Sequence, residues 1–252
     1  MIQVIKIGGG VLENEAQRDA FLRQFAAIEG PKILVHGGGR LATTMADRLG
    51  VETHMIDGRR LTDKETLDIV TMVYGGLVNK QVVAQLQTMG VNAIGMTGAD
   101  GGWMKAVKRP IKNGIDYGYV GDVVEVNGAH LRTLLDNGLT PVIAPITFSA
   151  DGLLLNTNAD TVASETAVSL APDVQLTFCF EKAGVLSNPD DESSLIASIT
   201  PETYTQLKAD GIISGGMIPK IDNAFAAIEH GVQSVRITHS NQIQGGTIIE
   251  QA

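Results

Sequence analysis

The chain contains a single cysteine, Cys179, among its 252 residues. An intrachain disulfide is therefore excluded, and the apolar setting Leu176-Thr177-Phe178-Cys179-Phe180 predicts a buried, unreactive thiol. Such a chain suits a reducing cytoplasm. It also lacks an excess of positive charge: 19 Lys and Arg against 28 Asp and Glu leave a formal net charge of -9. That balance argues against a broad electrostatic footprint for nucleic acid or an anionic membrane surface. No apolar run approaches the roughly 20 residues needed to span a bilayer. Near the start, Gln3-Val4-Ile5-Lys6-Ile7-Gly8 has neither the basic n-region nor the long apolar h-region of a secretory signal, so export is not expected. Internal repeats, low-complexity tracts and long linkers are missing as well.

What is present is enough apolar material, 44% of the residues, to bury one large α/β domain or two closely packed lobes. Short β-branched runs at Gln3 to Ile7, Lys32 to His36, Ala93 to Met96, Thr140 to Pro145, Val174 to Phe180 and Ser234 to Thr238 read as buried strands. Between several of them lie segments whose apolar residues return every three or four positions, including Ala16 to Ile28, Leu41 to Leu49, Leu67 to Tyr74 and Ala224 to Glu229. Alternation of strand and helix predicts an α/β fold with a mainly parallel central sheet covered on both faces, and ligands beyond the carboxyl ends of its strands. Val120 to Gly128, after Tyr117-Gly118-Tyr119, alternates like a strand with a turn on its far side, which predicts a β-hairpin or a lid. The turn-like cluster Ser149-Ala150-Asp151-Gly152 is the natural boundary between lobes 1-150 and 151-252.

Two glycine triplets follow two successive strands: Lys6-Ile7-Gly8-Gly9-Gly10 and His36-Gly37-Gly38-Gly39-Arg40. Glycines at a strand-to-helix turn let backbone N–H groups approach an anion without a Cβ in the way, and the positive end of the helix dipole adds attraction. One triplet alone is more simply a change of chain direction. Two, with a lysine ahead of the first, favour an anion site. Neither is a P-loop or a dinucleotide fingerprint, because the Gly-Lys-Ser/Thr ending and the further spaced glycine are missing.

Lys6 interrupts an apolar strand, so its ammonium must reach a cleft, an anion or, more plainly, solvent at a sheet edge. Lys220 closes Ser214-Gly215-Gly216-Met217-Ile218-Pro219-Lys220 one turn into a helix, a position that serves an ordinary surface lysine or a charge over phosphates. Asn156-Thr157-Asn158-Ala159-Asp160 opens another helix, where capping accounts for one polar side chain but does not require all three. Asp160 is placed to pair with lysines. His36 ends an apolar strand and is expected to make a structural hydrogen bond rather than act as a base.

Taken together, Lys6-Ile7-Gly8-Gly9, His36-Gly37-Gly38-Gly39, Asp57-Gly58-Arg59-Arg60-Leu61-Thr62, Asn156-Thr157-Asn158-Ala159-Asp160 and Gly216-Met217-Ile218-Pro219-Lys220 resemble the amino-acid kinase superfamily over nearly the whole chain. The triple-glycine turn followed by Gly-x-Arg-x-Thr is similar to the branch acting on N-acylated glutamate. The resemblance implies a three-layer αβα sandwich, with an N-terminal lobe for the acylated amino acid and dimerisation and a C-terminal lobe for ATP, its Mg²⁺ carried by the nucleotide. It implies transfer of the ATP γ-phosphoryl group to the γ-carboxylate of N-acetyl-L-glutamate or a close acyl analogue, a step of arginine biosynthesis. N-succinylglutamate, other acceptors of the superfamily, and a non-catalytic ligand sensor remain alternatives.

By matched position, Lys6 and Lys220 would stabilise the transferring charge and Asp160 would organise them. Gly9, Gly37, Gly38, Gly39, Arg60 and Asn156 would bind the acceptor. Gly8, Gly9, Lys182, Gly215, Gly216 and Lys220 would bind the nucleotide, and no protein metal site is expected. Phe180-Glu181-Lys182-Ala183-Gly184-Val185 stands where Thr-Asp-Val-x-Gly-Val is commoner, so adenine contacts are not carried over. The start so close to the first strand implies a homodimer without the N-terminal helix of arginine-inhibited hexamers.

Overall fold

A computed structural model of the chain describes residues 1–56, 58–188, 190–214 and 217–251. The six expected strands form at Ile2–Ile7, Lys32–His36, Ala93–Met96, Thr140–Ile143, Val174–Phe180 and Ser234–His239. With Thr247–Ile249 and Ser198–Ile199 they build one eight-stranded sheet, ordered 198–199, 247–249, 234–239, 174–180, 2–7, 32–36, 140–143, 93–96. Every pairing is parallel except that between Ser234–His239 and Thr247–Ile249. Ile2–Ile7 is thus an inner strand, with Lys6 in register with Val35 on one side and Phe178 on the other.

Successive side chains along a strand point to opposite faces. Ile2, Val4, Ile33, Val35, Leu176 and Phe178 enter one core, under the helices Ala159–Ser169 and Met217–Glu229. Ile5, Ile7, Leu34 and Cys179 enter the other, under Glu15–Ala26, Gly39–Leu49, Lys64–Val70 and Asn79–Thr88. The result is an αβα sandwich, and parity assigns Lys6 and Phe180 to the first face and His36 to the second.

Two helix starts are capped by the side chains their sequences offer. Asp63 accepts from the Thr66 amide at 2.8 Å, and Asn158 accepts from the amides of Asp160 and Thr161 at 2.8 and 3.2 Å. The segment expected to be an ordinary helix through Tyr74 instead changes at Thr71 into a π-helical stretch, Thr71–Val78. The wider turn keeps Val73, Tyr74 and Val78 all buried while Met72 and Leu77 face out.

A second, four-stranded sheet is ordered 154–156, 146–148, 104–108, 121–126. It contains a hairpin in which Gly121–Val126 pairs with Met104–Lys108 on its N-terminal side, whereas the turn expected at Asn127-Gly128 is the start of the helix Gly128–Asp136, capped by Asn127. Ser149–Gly152 is the turn of another hairpin in this sheet, closed by Gly152 N–H donating to the Ser149 carbonyl at 2.9 Å. Among the described residues, no helix is long and apolar enough to cross a membrane.

Candidate active site

The two glycine turns meet backbone to backbone at the carboxyl ends of neighbouring parallel strands. Gly37 N–H donates to the Ile7 carbonyl at 3.0 Å. A Cβ on Gly9 would lie 2.7 Å from the Gly38 nitrogen and 2.9 Å from its Cα, and one on Gly38 would lie 2.8 Å from the Tyr74 ring. Only glycine fits at both positions. The helix after the second turn, Gly39–Leu49, has no side-chain cap and no acidic residue in its first turn, so its free N–H groups remain open to an anion.

His36 holds the second turn from behind. It is fully buried, its Nδ1–H donates to the Gly37 carbonyl at 2.9 Å, and its Nε2 accepts from Asn79 Nδ2 at 3.1 Å. Asn79 donates again to the Val142 carbonyl at 2.9 Å. Burial depresses the imidazole pKa to about 4, opposed by the Gly37 hydrogen bond and assisted by the charge of Lys80. The ring is neutral and structural.

Lys6 projects from its strand onto the face shared with the helix that begins at Ala159. Its ammonium lies 2.8 Å from Asp160 Oδ1 and is nearly buried, whereas the Asp160 side chain is 43% exposed. The approach is off the hydrogen-bond direction, so the contact is an ion pair. Because Asn158 caps the helix, Asp160 is free to make it. Lys220, from Met217–Glu229, joins the group electrostatically: burial lowers its pKa, Asp160 raises it and Lys6 lowers it again. Its ammonium rests 3.8 Å from the centroid of the Phe180 ring, and Lys6 is 5.7 Å from the same centroid.

Two cavities meet at this cluster. The larger, about 640 Å³, is lined by Gly37 to Gly39, Arg60, Asn156, Asp160, Phe180 and Lys220. The smaller, about 370 Å³, is lined by Lys6, Gly8, Gly10, Lys182, Phe180 and Lys220. On the lining of the smaller one, Arg40 and Glu181 form a loose, exposed ion pair at 3.7 Å. Gly215 and Gly216, expected to hold nucleotide, lie outside the described residues.

Arg60 is fixed on the wall of the larger cavity. Its guanidinium donates to the Gly39 carbonyl at 2.8 Å, to Thr43 Oγ1 at 2.8 Å and to Thr53 Oγ1 at 3.2 Å. Arg59, its neighbour in the chain, also lines this cavity but is exposed. Asn156 Nδ2 donates to Thr62 Oγ1 at 3.0 Å, and Thr62 donates to the Arg60 carbonyl at 3.2 Å, so one chain of contacts ties Asn156 to the arginine. Tyr74, Arg109 and Phe180 on the cavity lining, and Thr62 behind Asn156, were given no role from the sequence. The one signal available for Phe180 was its place in the anomalous stretch ending the Val174–Phe180 strand.

Similarity to known proteins agrees with this geometry. The profile of the amino acid kinase family matches residues 1–239. An acetylglutamate kinase of Phocaeicola vulgatus is 54% identical over 99% of this chain and 98% of its own. One from Methanopyrus kandleri is 41% identical over 98% of this chain and 100% of its own. Among solved structures, the smu.665 protein of Streptococcus mutans superimposes with a TM-score of 0.77 at 29% identity, covering 99% of this chain and 98% of that one. Carbamate kinase of Giardia lamblia bound to AMP-PNP gives 0.67 at 16% identity, covering 100% and 98%, a likeness of fold.

Proposed function

Because the chain belongs to the amino acid kinase family, we infer that it moves the γ-phosphoryl group of ATP onto the γ-carboxylate of N-acetyl-L-glutamate, as an acetylglutamate kinase of arginine biosynthesis. The observation that carries the reading is the placement of Lys6, Asp160 and Lys220 at the junction of two cavities, beside the paired glycine turns. Near-full-length relatives bearing that activity supply the acceptor.

The larger cavity takes the acylated amino acid. Arg60 offers the N–H groups that Gly39, Thr43 and Thr53 leave free, together with its fixed positive charge, to the α-carboxylate. Asn156 binds the polar groups of the same molecule. The smaller cavity takes the phosphates of ATP, with Gly8, Lys182 and Lys220 around them and Mg²⁺ arriving on the nucleotide. Residues 1–150 thereby serve mainly the acceptor and residues 151–252 the donor, both mounted on one continuous sheet. Met72 and Leu77, exposed on Thr71–Val78, and Ile94 on the edge strand supply apolar surface for a homodimer; a monomer mass in solution would remove that part of the reading.

A γ-carboxylate with an ordinary pKa near 4.3 is ionised at pH 7, so no general base is required. One carboxylate oxygen bonds to the γ-phosphorus as the bond from that phosphorus to the bridging oxygen of ADP breaks, giving an acyl phosphate and ADP. The difficulty is the meeting of two anions, which preorganised charge resolves. Lys6 and Lys220 neutralise the moving group, the backbone N–H groups of Gly9 and Gly38 face it, and Asp160 keeps Lys6 in place.

Hydroxylamine converts an acyl phosphate into a hydroxamate, which is the test. Acetyl, succinyl and unacylated glutamate are compared side by side, and N-acetylglutamate is expected to give the largest signal. Absence of hydroxamate from every acylated glutamate refutes the reaction. Lys220→Met should lower turnover by about 10²-fold or more, the scale of losing one transition-state charge contact, with little change in thermal stability.

A further inference from the structure

The Val174–Phe180 strand ends on an aromatic ring beside two lysines. Phe180, Lys220 and Ile237 line both cavities, so the ring and the ammonium lie where the two adjoin. The ring is only partly buried, stacks on Phe178 at 6.1 Å between centroids, and turns a face to the Lys220 ammonium at 3.8 Å. Lys6 reaches the same ring at 5.7 Å. Two like charges therefore share a neighbourhood in which Asp160 touches Lys6, while Glu181, the carboxylate next to Phe180, is paired with Arg40.

We propose that Phe180 is a positioning residue for phosphoryl transfer, its ring face holding the Lys220 ammonium at the junction of the donor and acceptor cavities. The proposal rests on the phosphotransferase reading above. A ring face attracts a cation through its quadrupole, and most strongly when water is excluded, yet it carries no net charge. A second carboxylate in the same place would also hold the lysine, but it would neutralise it and repel the arriving phosphate. The ring holds Lys220 without cancelling its charge, so the full positive charge meets the phosphoryl group. Parity along the strand makes the arrangement possible: Phe180 is two residues from Phe178 and faces the same side as Lys6, while Cys179 between them points into the opposite core.

The test replaces Phe180 with phenylalanines carrying one, two and three ring fluorines, which keep the shape while draining charge from the ring face, and with Leu and Tyr. In the hydroxamate assay, log kcat should fall stepwise with fluorination. Phe180→Leu should lose about 3- to 30-fold in kcat, the range a partly desolvated cation–π contact supports. The KM values for ATP and acylglutamate should stay within about twofold, and Phe180→Tyr should retain wild-type kcat within the same margin, because its ring face is preserved. Unchanged kcat across the fluorinated series overturns the proposal, as does a loss confined to KM or a Tyr variant as impaired as the Leu variant. If the wild-type protein itself forms no hydroxamate, the phosphotransferase reading fails first, and the two failures are distinguishable.

Discussion

Acidification should destabilise this protein through His36. The folded imidazole has a pKa of about 4 because it is fully buried between the Gly37 carbonyl and Asn79, whereas an unfolded histidine titrates near 6.5. As pH falls, the unfolded chain takes up the proton first. Stability is therefore complete above about pH 6.5 and is lost progressively towards pH 4. Each tenfold difference in proton affinity between the two states is worth ~1.36 kcal/mol, so the whole window is worth about 3 kcal/mol, with about 2 kcal/mol already gone at pH 5. The geometry gives the reason: a proton on Nε2 would set two donors, the ring N–H and the Asn79 amide, against each other in a dry pocket.

Urea unfolding of the wild type and of His36→Gln, at intervals from pH 7.5 to 4.5, isolates this contribution because carboxylate titrations cancel in the difference. The difference in unfolding free energy should shrink by about 2 to 3 kcal/mol across that range. A difference constant to within about 0.5 kcal/mol would refute the argument. The imidazole resonances of the folded wild type provide a check independent of the variant. They should keep neutral-ring shifts down to about pH 5, and a midpoint near 6 would be incompatible with this burial.

Two further outcomes follow from the glycine turns and the arginine wall. Gly9→Ala must displace backbone, since its Cβ would meet the Gly38 nitrogen and Cα; turnover should drop by about 10²-fold, the cost of roughly 1 Å of misplacement, while circular dichroism stays native. Near-normal turnover would show that the two turns need not touch. Arg60→Lys should raise the KM for the acylated amino acid by about 10- to 100-fold through loss of a fixed, charge-assisted hydrogen bond, leaving the KM for ATP unchanged. An unaltered acceptor KM would take Arg60 out of the substrate wall.

Local features of the chain were legible in the sequence because local rules decide them. Uninterrupted β-branched runs marked the main strands, and the surplus of polar side chains at Asn156 to Asp160 signalled more than a cap, although only the structure shows that Asn158 is the cap and Asp160 the carboxylate that faces Lys6. What escaped depends on residues far apart in the chain. Asn79 reaches His36 across 43 positions and Asn156 reaches Thr62 across 94, and no periodicity encodes either meeting. The π-helical stretch was hidden for a similar reason. An apolar segment through Tyr74 satisfies a helical pattern equally well, and the choice of a wider turn follows from tertiary packing, which includes Tyr74 lying over Gly38. Phe180 was noticed only as a departure from a familiar pattern, because its role depends on two lysines from different segments converging on one ring.

The meeting of Gly9 and Gly38 leaves a floor built from peptide groups alone. A mutation can redesign a wall made of side chains by exchanging one functional group for another, but here the genetic code has no such vocabulary: every replacement adds atoms where none fit. The surface beneath the travelling group is therefore closed to gradual adjustment. Any change of acceptor has to be written at the periphery, in side chains such as Arg60 and Asn156, while the ground on which the transfer takes place stays as it is.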